Sequence, residues 1–295
     1  MLPRPLSENC SDASPRRRAR GASRGQLLSA LSVLLAAVGC APPGPKAPES
    51  ATTAMRHTVV VGAPLNTRIS VLRNGDASGP CIVLVHGTPG SATGWTDYLL
   101  DPPPGLELVA LDRPGFGQSG PDDAVVSLAA QAAAVLSLLP QDGRPVVLVG
   151  HSLGGPIVAR VAADHPERVT ALVLLAASLD PAEEEIHPMQ WVGAWAPIQA
   201  LLPRVLRNAN AELMALEPEL ASLAPMLRRI TAKVVIVHGT KDDLVPVANV
   251  GFMQAHLTGS RCVKTVLIEG GDHFLPWNSA EVVREAVREA LEAAC

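Results

Sequence analysis

Aromatic residues are scarce, only 3% of a 295-residue chain. That leaves too few stacking rings for a platform that holds single-stranded nucleic acid. Basic charge does not exceed acidic charge: the formal net charge is −4. With no surplus of cations to meet phosphates, a nucleic-acid partner is excluded. No H-x-x-x-H spacing and no zinc-spaced cysteine pair occurs, so no metal is expected. No G-x-G-x-x-G follows an apolar run and opens a helix, so no dinucleotide or other cofactor is expected. Internal repeats are also missing. The apolar run LLSALSVLLAAV, from Leu27 to Val38, falls well short of the about 20 residues that a membrane-spanning helix needs.

What is there is the composition of a folded domain. Hydrophobic residues make up 47% and charged residues 18%, and the length suffices to bury a core. The charge divides unevenly. Up to Cys40, six arginines stand against Glu8 and Asp12, a net +4, so the remainder carries −8. The basic stretch ends near Arg24, the short apolar run follows, and the small residues of AAVGC lead into Cys40. This is the layout of a secretory signal over residues 1–39. Its Cys after small residues resembles a bacterial lipoprotein signal, which implies lipidation at Cys40 and membrane association through a lipid anchor. The alternative is an ordinary cleaved signal on a soluble exported protein. Residues 40–56, rich in proline and small side chains at first, read as an extended flexible tether.

From about residue 57 onward, short β-branched runs recur: HTVVV, RISVL, CIVLVHG, LELVALD, PVVLVGH, VTALVLLAA, KVVIVHG and CVKTVLIEGG. Several are apolar throughout, the pattern of strands buried on both faces. Helical stretches separate most of them, starting near Val125, Gly154 and Ser279. The expected fold is α/β: a doubly wound, mostly parallel eight-stranded sheet with helices on both faces. Between about 180 and 231 no strand signal appears. Two to four short helices are expected there, as a small cap over the site. On this reading Cys262 opens the last strand and Cys295 ends the helix running back along it. A Cys262–Cys295 bridge is one possibility in an oxidising compartment, and free or buried thiols are the other.

The chemistry centres on Gly150-His151-Ser152-Leu153-Gly154, between a strand and a helix. A serine on such a tight turn stands exposed above the sheet. The Leu153 N–H at the helix start can meet a developing oxyanion. The string alone is weak, since Gly21-Ala22-Ser23-Arg24-Gly25 matches it too, but no strand precedes that copy. CIVLVHGTPG, LDRPGFGQS, VVLVGHSLGG, HPERV, VVIVHGTKDDLVP and GGDHFLPW occur in this order, and together they resemble the α/β-hydrolase family of serine hydrolases.

The resemblance implies a carboxylesterase- or lipase-like enzyme acting on a small-molecule acyl substrate. Ser152 matches the nucleophile, His273 the base and Asp242 the acid that orients the histidine, with Asp243 and Asp180 as competitors for that last role. The Thr88 N–H matches the second oxyanion donor. His151, Trp191 and Trp195 are pocket candidates; the two tryptophans, four apart, would share one helical face, though core packing accounts for such a pair equally well. His86, His165, His238 and His256 read as structural or surface histidines. Lactone, amide or carbon–carbon hydrolysis fits the same residues, and a non-catalytic, membrane-tethered binding module is the reading of a different class.

Overall fold

In a computed structural model, which describes residues 49–292 and 295, each of the eight β-branched runs forms a strand. Helix α1 (Glu49–Met55) leads into β1 (Arg56–Val61) and β2 (Thr67–Gly75), then β3 (Cys81–Val85), helix α2 (Thr96–Leu100) and β4 (Glu107–Leu111). Helix α3 (Leu128–Leu136), β5 (Val146–His151), helix α4 (Gly154–Asp164) and β6 (Ala171–Leu175) follow. The interval before β7 holds helices α5 (Pro188–Ala194), α6 (Ala196–Gln199) and α7 (Arg204–Leu223). The chain ends with β7 (Lys233–Gly239), α8 (Ala248–His256), β8 (Val263–Ile268), α9 (Leu275–Asn278) and α10 (Ala280–Leu291).

The strands form one eight-stranded sheet in the order β1-β2-β4-β3-β5-β6-β7-β8. The pairings β1–β2 and β2–β4 are antiparallel; the rest are parallel. Side chains alternate between the two faces with a period of two, and the central strands β3 to β7 are buried on both. Val83 and Val85 of β3, Leu148 of β5, Leu174 of β6 and Ile236 of β7 face one core, with α3, α4, α7 and α8. Ile82 and Leu84, Val147 and Val149, Val173, and Val235 and Val237 face the other, with α10. Truncating buried Leu148, Leu174 or Ile236 to alanine carries the usual cost of about 2–5 kcal/mol. In α10 the packed stripe is centred on Val283, Ala286 and Ala290, with Val282, Val287 and Leu291 at its margins.

Two expectations change. The tether expected over 40–56 is, in its described part, helix α1, and its Met55 is buried in the second core. One apolar anchor turns this end of the segment from linker into structure. The cap is not built of short helices alone. Helix α7 is 20 residues long and contains Pro218, and its Leu216, Leu220 and Leu223 join the first core. That apolar stripe at helical spacing lets it run on. A disulfide joins Cys262 to Cys295 with a Cα–Cα distance of 5.7 Å; Cys81 is free and buried. Among the described residues no helix is long and apolar enough to cross a membrane. The segment 1–39, Cys40 and the first part of the tether lie outside the described residues.

Candidate active site

The strand order turns back between β3 and β5, and crevices at the carboxyl ends of such strands are where open α/β sheets bind ligands. Ser152 stands there, directly after β5, at φ +54°. That is the left-handed region, costly for a side chain bearing a β-carbon. The turn is tightened further because Gly154 lies against β3: a β-carbon on it would be 2.3 Å from the Val85 carbonyl oxygen. The Ser152 N–H is tied to the Leu175 carbonyl of β6 at 3.0 Å. Leu153 is buried and begins α4. The loop after β3 closes on the serine. A β-carbon on Gly87 would lie 2.7 Å from Ser152 Cβ and 3.2 Å from its Oγ. Thr88 follows in that loop, with its Oγ1 buried and unpartnered among the described residues.

Asp242 and His273 come from the ends of β7 and β8. His273 Nδ1 donates to Asp242 Oδ2 at 2.8 Å, with the carboxylate fully buried and the imidazole nearly so. Asp242 Oδ1 accepts the N–H groups of Leu244 and Val245 at 2.9 and 2.8 Å. Burial alone would raise this carboxyl, but the His273 hydrogen bond and charge, with the two N–H donors, hold it below its ordinary value. An ionised Asp242 keeps the His273 proton on Nδ1, so the neutral ring presents Nε2 as acceptor. Asp243 is exposed. Asp180 caps a short turn, its Oδ1 accepting the Ala182 N–H at 2.9 Å. Of the three candidate acids, only Asp242 meets the histidine. Among the described residues His273 is hydrogen-bonded to Asp242 and not to Ser152; such a contact commonly tightens only once substrate is bound.

The pocket candidates divide. His151 is buried, its ring centroid 4.8 Å from that of His273, and its Nε2 meets the His273 carbonyl oxygen at 2.9 Å. Burial and the neighbouring His273 push its pKa down to about 3, so it stays neutral and supports the His273 loop. Trp191 and Trp195 are 61% and 63% exposed, so neither is packed into the core. The reason is local. Helix α5 ends at Ala194 and Trp195 adopts extended backbone, φ −65° and ψ 125°, so the four-residue spacing never becomes one helical face. A cleft of about 540 Å³ beside the Gly87 loop is lined by residues including Pro89, Ser91, Phe116, Pro203 and Val205.

The structural reading of His238 holds, and sequence reasoning missed two further residues, Arg113 and Glu212. His238, fully buried on β7, sits 3.7 Å from Asp242 Oδ2 and is held by the Val245 carbonyl at 3.0 Å; burial first lowers its pKa. Arg113 and Glu212, also buried, form an ion pair at 2.7 Å between the loop after β4 and helix α7. Arg113 lay within the quoted LDRPGFGQS string, but nothing in a cap of irregular pattern marked Glu212. Among the described residues no cluster of His, Cys, Asp and Glu could hold a metal ion.

Comparison with known proteins agrees with this architecture. A membrane phospholipase A of known structure superposes with a TM-score of 0.60, covering 92% of this chain and 100% of that one at 23% identity; this likeness is one of fold. In sequence, the chain is 36% identical over 110 residues to the dihydrolipoyllysine-residue acetyltransferase component of an acetoin cleaving system from Cupriavidus necator, 37% of this chain and 29% of that protein. It is 41% identical over 101 residues to a pimeloyl-[acyl-carrier protein] methyl ester esterase from Klebsiella pneumoniae, 34% of this chain and 38% of that protein. The matches thus span well under half the length of these two relatives. The sequence pattern of the alpha/beta hydrolase family matches residues 82–286, and with the sheet order and the serine turn already described, the chain belongs to that family.

Proposed function

We propose that the protein is a serine hydrolase that cleaves a carboxylic ester or a related acyl substrate through an acyl-enzyme. The observation that carries this reading is the 2.8 Å Asp242–His273 hydrogen bond at the same sheet edge as a serine at φ +54°. Nε2 of His273 takes the Ser152 proton as Oγ attacks the acyl carbonyl. The N–H groups of Leu153 and Thr88 receive the oxyanion, and water then releases the acyl group. Serine, rather than aspartate, at this turn supports acyl chemistry. The methyl ester esterase among the relatives supports an ester as substrate. The apolar side chains Pro89, Phe116 and Val205 along the cleft suit the hydrocarbon part of an acyl group. Export and anchoring at Cys40 complete the proposal, with the substrate met at or near a membrane surface.

The test is labelling by a fluorophosphonate together with turnover of a p-nitrophenyl ester chain-length series. Wild type is expected to label and turn over. Ser152→Ala is expected to do neither, and His273→Ala to lose turnover by several orders of magnitude. Folded wild type that neither labels nor turns over any ester would replace this reading with the non-catalytic binding module. Radiolabelled palmitate incorporation that vanishes in Cys40→Ser would support the anchor.

A further inference from the structure

The cap reaches the oxyanion loop through a chain of buried charge. The Gly87 carbonyl oxygen accepts two hydrogen bonds, from His86 Nδ1 at 2.7 Å and from Arg113 Nη2 at 3.0 Å. His86 is neutral, its pKa driven far down by burial and by the Arg113 cation. Its Nε2 accepts the Arg113 backbone N–H at 3.1 Å, so its single proton sits on Nδ1, facing Gly87. The 3.4 Å approach of Arg113 Nε to that same Nδ1 is then a contact between two donors, and the shorter bonds define the tautomer. The Gly87 carbonyl shares one rigid planar peptide with the Thr88 N–H. This bond is not among the cis peptides, so the two dipoles point in opposite directions. Holding the oxygen on one side therefore aims the N–H on the other.

Arg113 is itself held by the cap. Its Nη1 and Nη2 donate to the two carboxylate oxygens of Glu212 at 2.7 and 3.0 Å, and Nη1 also to Gln131 Oε1 at 2.6 Å. Gln131 returns its amide to Glu212 at 2.5 Å and to the Val125 carbonyl at 2.8 Å. Arg113 is 0% and the Glu212 side chain 1% exposed, so neither charge has water as an alternative partner. A two-pronged guanidinium contact of this kind fixes direction as well as distance.

We propose that Glu212 is a positioning residue: through Arg113 it orients the Gly87–Thr88 peptide, so the Thr88 N–H is an aimed oxyanion donor only while helix α7 is docked. The inference rests on the reading of Ser152 as nucleophile and Thr88 as donor. It makes cap docking and oxyanion stabilisation one event.

The test uses the full chain, wild type and Glu212→Gln, with p-nitrophenyl butyrate turnover and the phosphorus NMR resonance of the fluorophosphonate adduct, whose phosphoryl oxygen occupies the donor site. Complete loss of one oxyanion donor costs about 10²–10³ in rate. A donor left in place but loosely aimed is expected to cost about 10-fold in kcat, with KM within about twofold. The adduct resonance is expected to move towards that of the urea-unfolded adduct. Folded Glu212→Gln with wild-type kcat, or with lower kcat but an unmoved resonance, overturns the proposal, because a purely structural pin would not alter the phosphoryl environment. If Glu212→Gln does not fold, Gln131→Met keeps the ion pair and removes one of its supports. A smaller shift in the same direction is then expected, and an unmoved resonance overturns the idea equally. Failure of wild type to form any adduct would instead reject the hydrolase reading, and this inference with it.

Discussion

Asp242 and Asp243 are adjacent in sequence, and the fold gives them opposite surroundings. One is buried against His273 and two backbone N–H groups; the other faces solvent. Asp242→Asn is therefore expected to lower kcat by about 10⁴, through the wrong histidine tautomer, while Asp243→Asn stays within about twofold of wild type. Steady-state kinetics on the best p-nitrophenyl ester reads both. Equal losses, or a loss confined to Asp243→Asn, would reassign the acid. The GTKDD string places two carboxylates within reach of this position. Only the 2.8 Å bond chooses between them, because the choice depends on which side chain the turn after β7 directs inward.

At the scale of elements, strands were more legible than the cap. Eight β-branched runs became eight strands; β1 and β8 at the sheet edges are partly exposed, while β3 to β7 are buried throughout, as runs apolar on both faces suggest. The cap obeys no such constraint. Helix α7 packs inward along one stripe only, and α5 and α6 have no buried residue, so exposed apolar side chains there resemble buried ones in sequence. Trp191 and Trp195 show the consequence. Replacing both by serine is expected to change unfolding free energy by less than about 0.5 kcal/mol each, as at ordinary surface sites. Trp95→Ala, at a position 2% exposed, is expected to cost about 3–5 kcal/mol. Urea unfolding followed by circular dichroism separates them. A large loss from the exposed pair would mean that the two rings are covered in solution.

Across the whole molecule, the buried histidines tie stability to pH. His151 is held down to about 3, and His86 and His238 are also lowered, in each case first by burial. In the unfolded chain such groups titrate near about 6.5. Between these values the unfolded state binds more protons than the folded one, so stability rises with pH there and is lost as pH falls from about 6.5 towards about 3. Asp242, lowered in the folded state, adds to the loss in the same direction at more acid pH. Thermal unfolding from pH 7 to pH 4 is expected to show a steadily falling midpoint. His151→Asn should flatten the dependence by up to about 1.4 kcal/mol per pH unit, and an unchanged slope would show that His151 is not held neutral.

The sequence by itself determined the α/β architecture, the serine turn and the histidine after the last strand. Each is written in local pattern: β-branched runs for strands, glycines where Val85 and Ser152 are approached too closely for a β-carbon, and short motifs in family order. What only the tertiary structure decided is which charges meet. Asp242 rather than Asp243 or Asp180 reaches His273, and Arg113 pairs with Glu212 across 99 positions of sequence. Two tryptophans four residues apart fall on either side of a helix end. Burial and the meeting of distant side chains are properties of three-dimensional packing, and no local period in the chain records them.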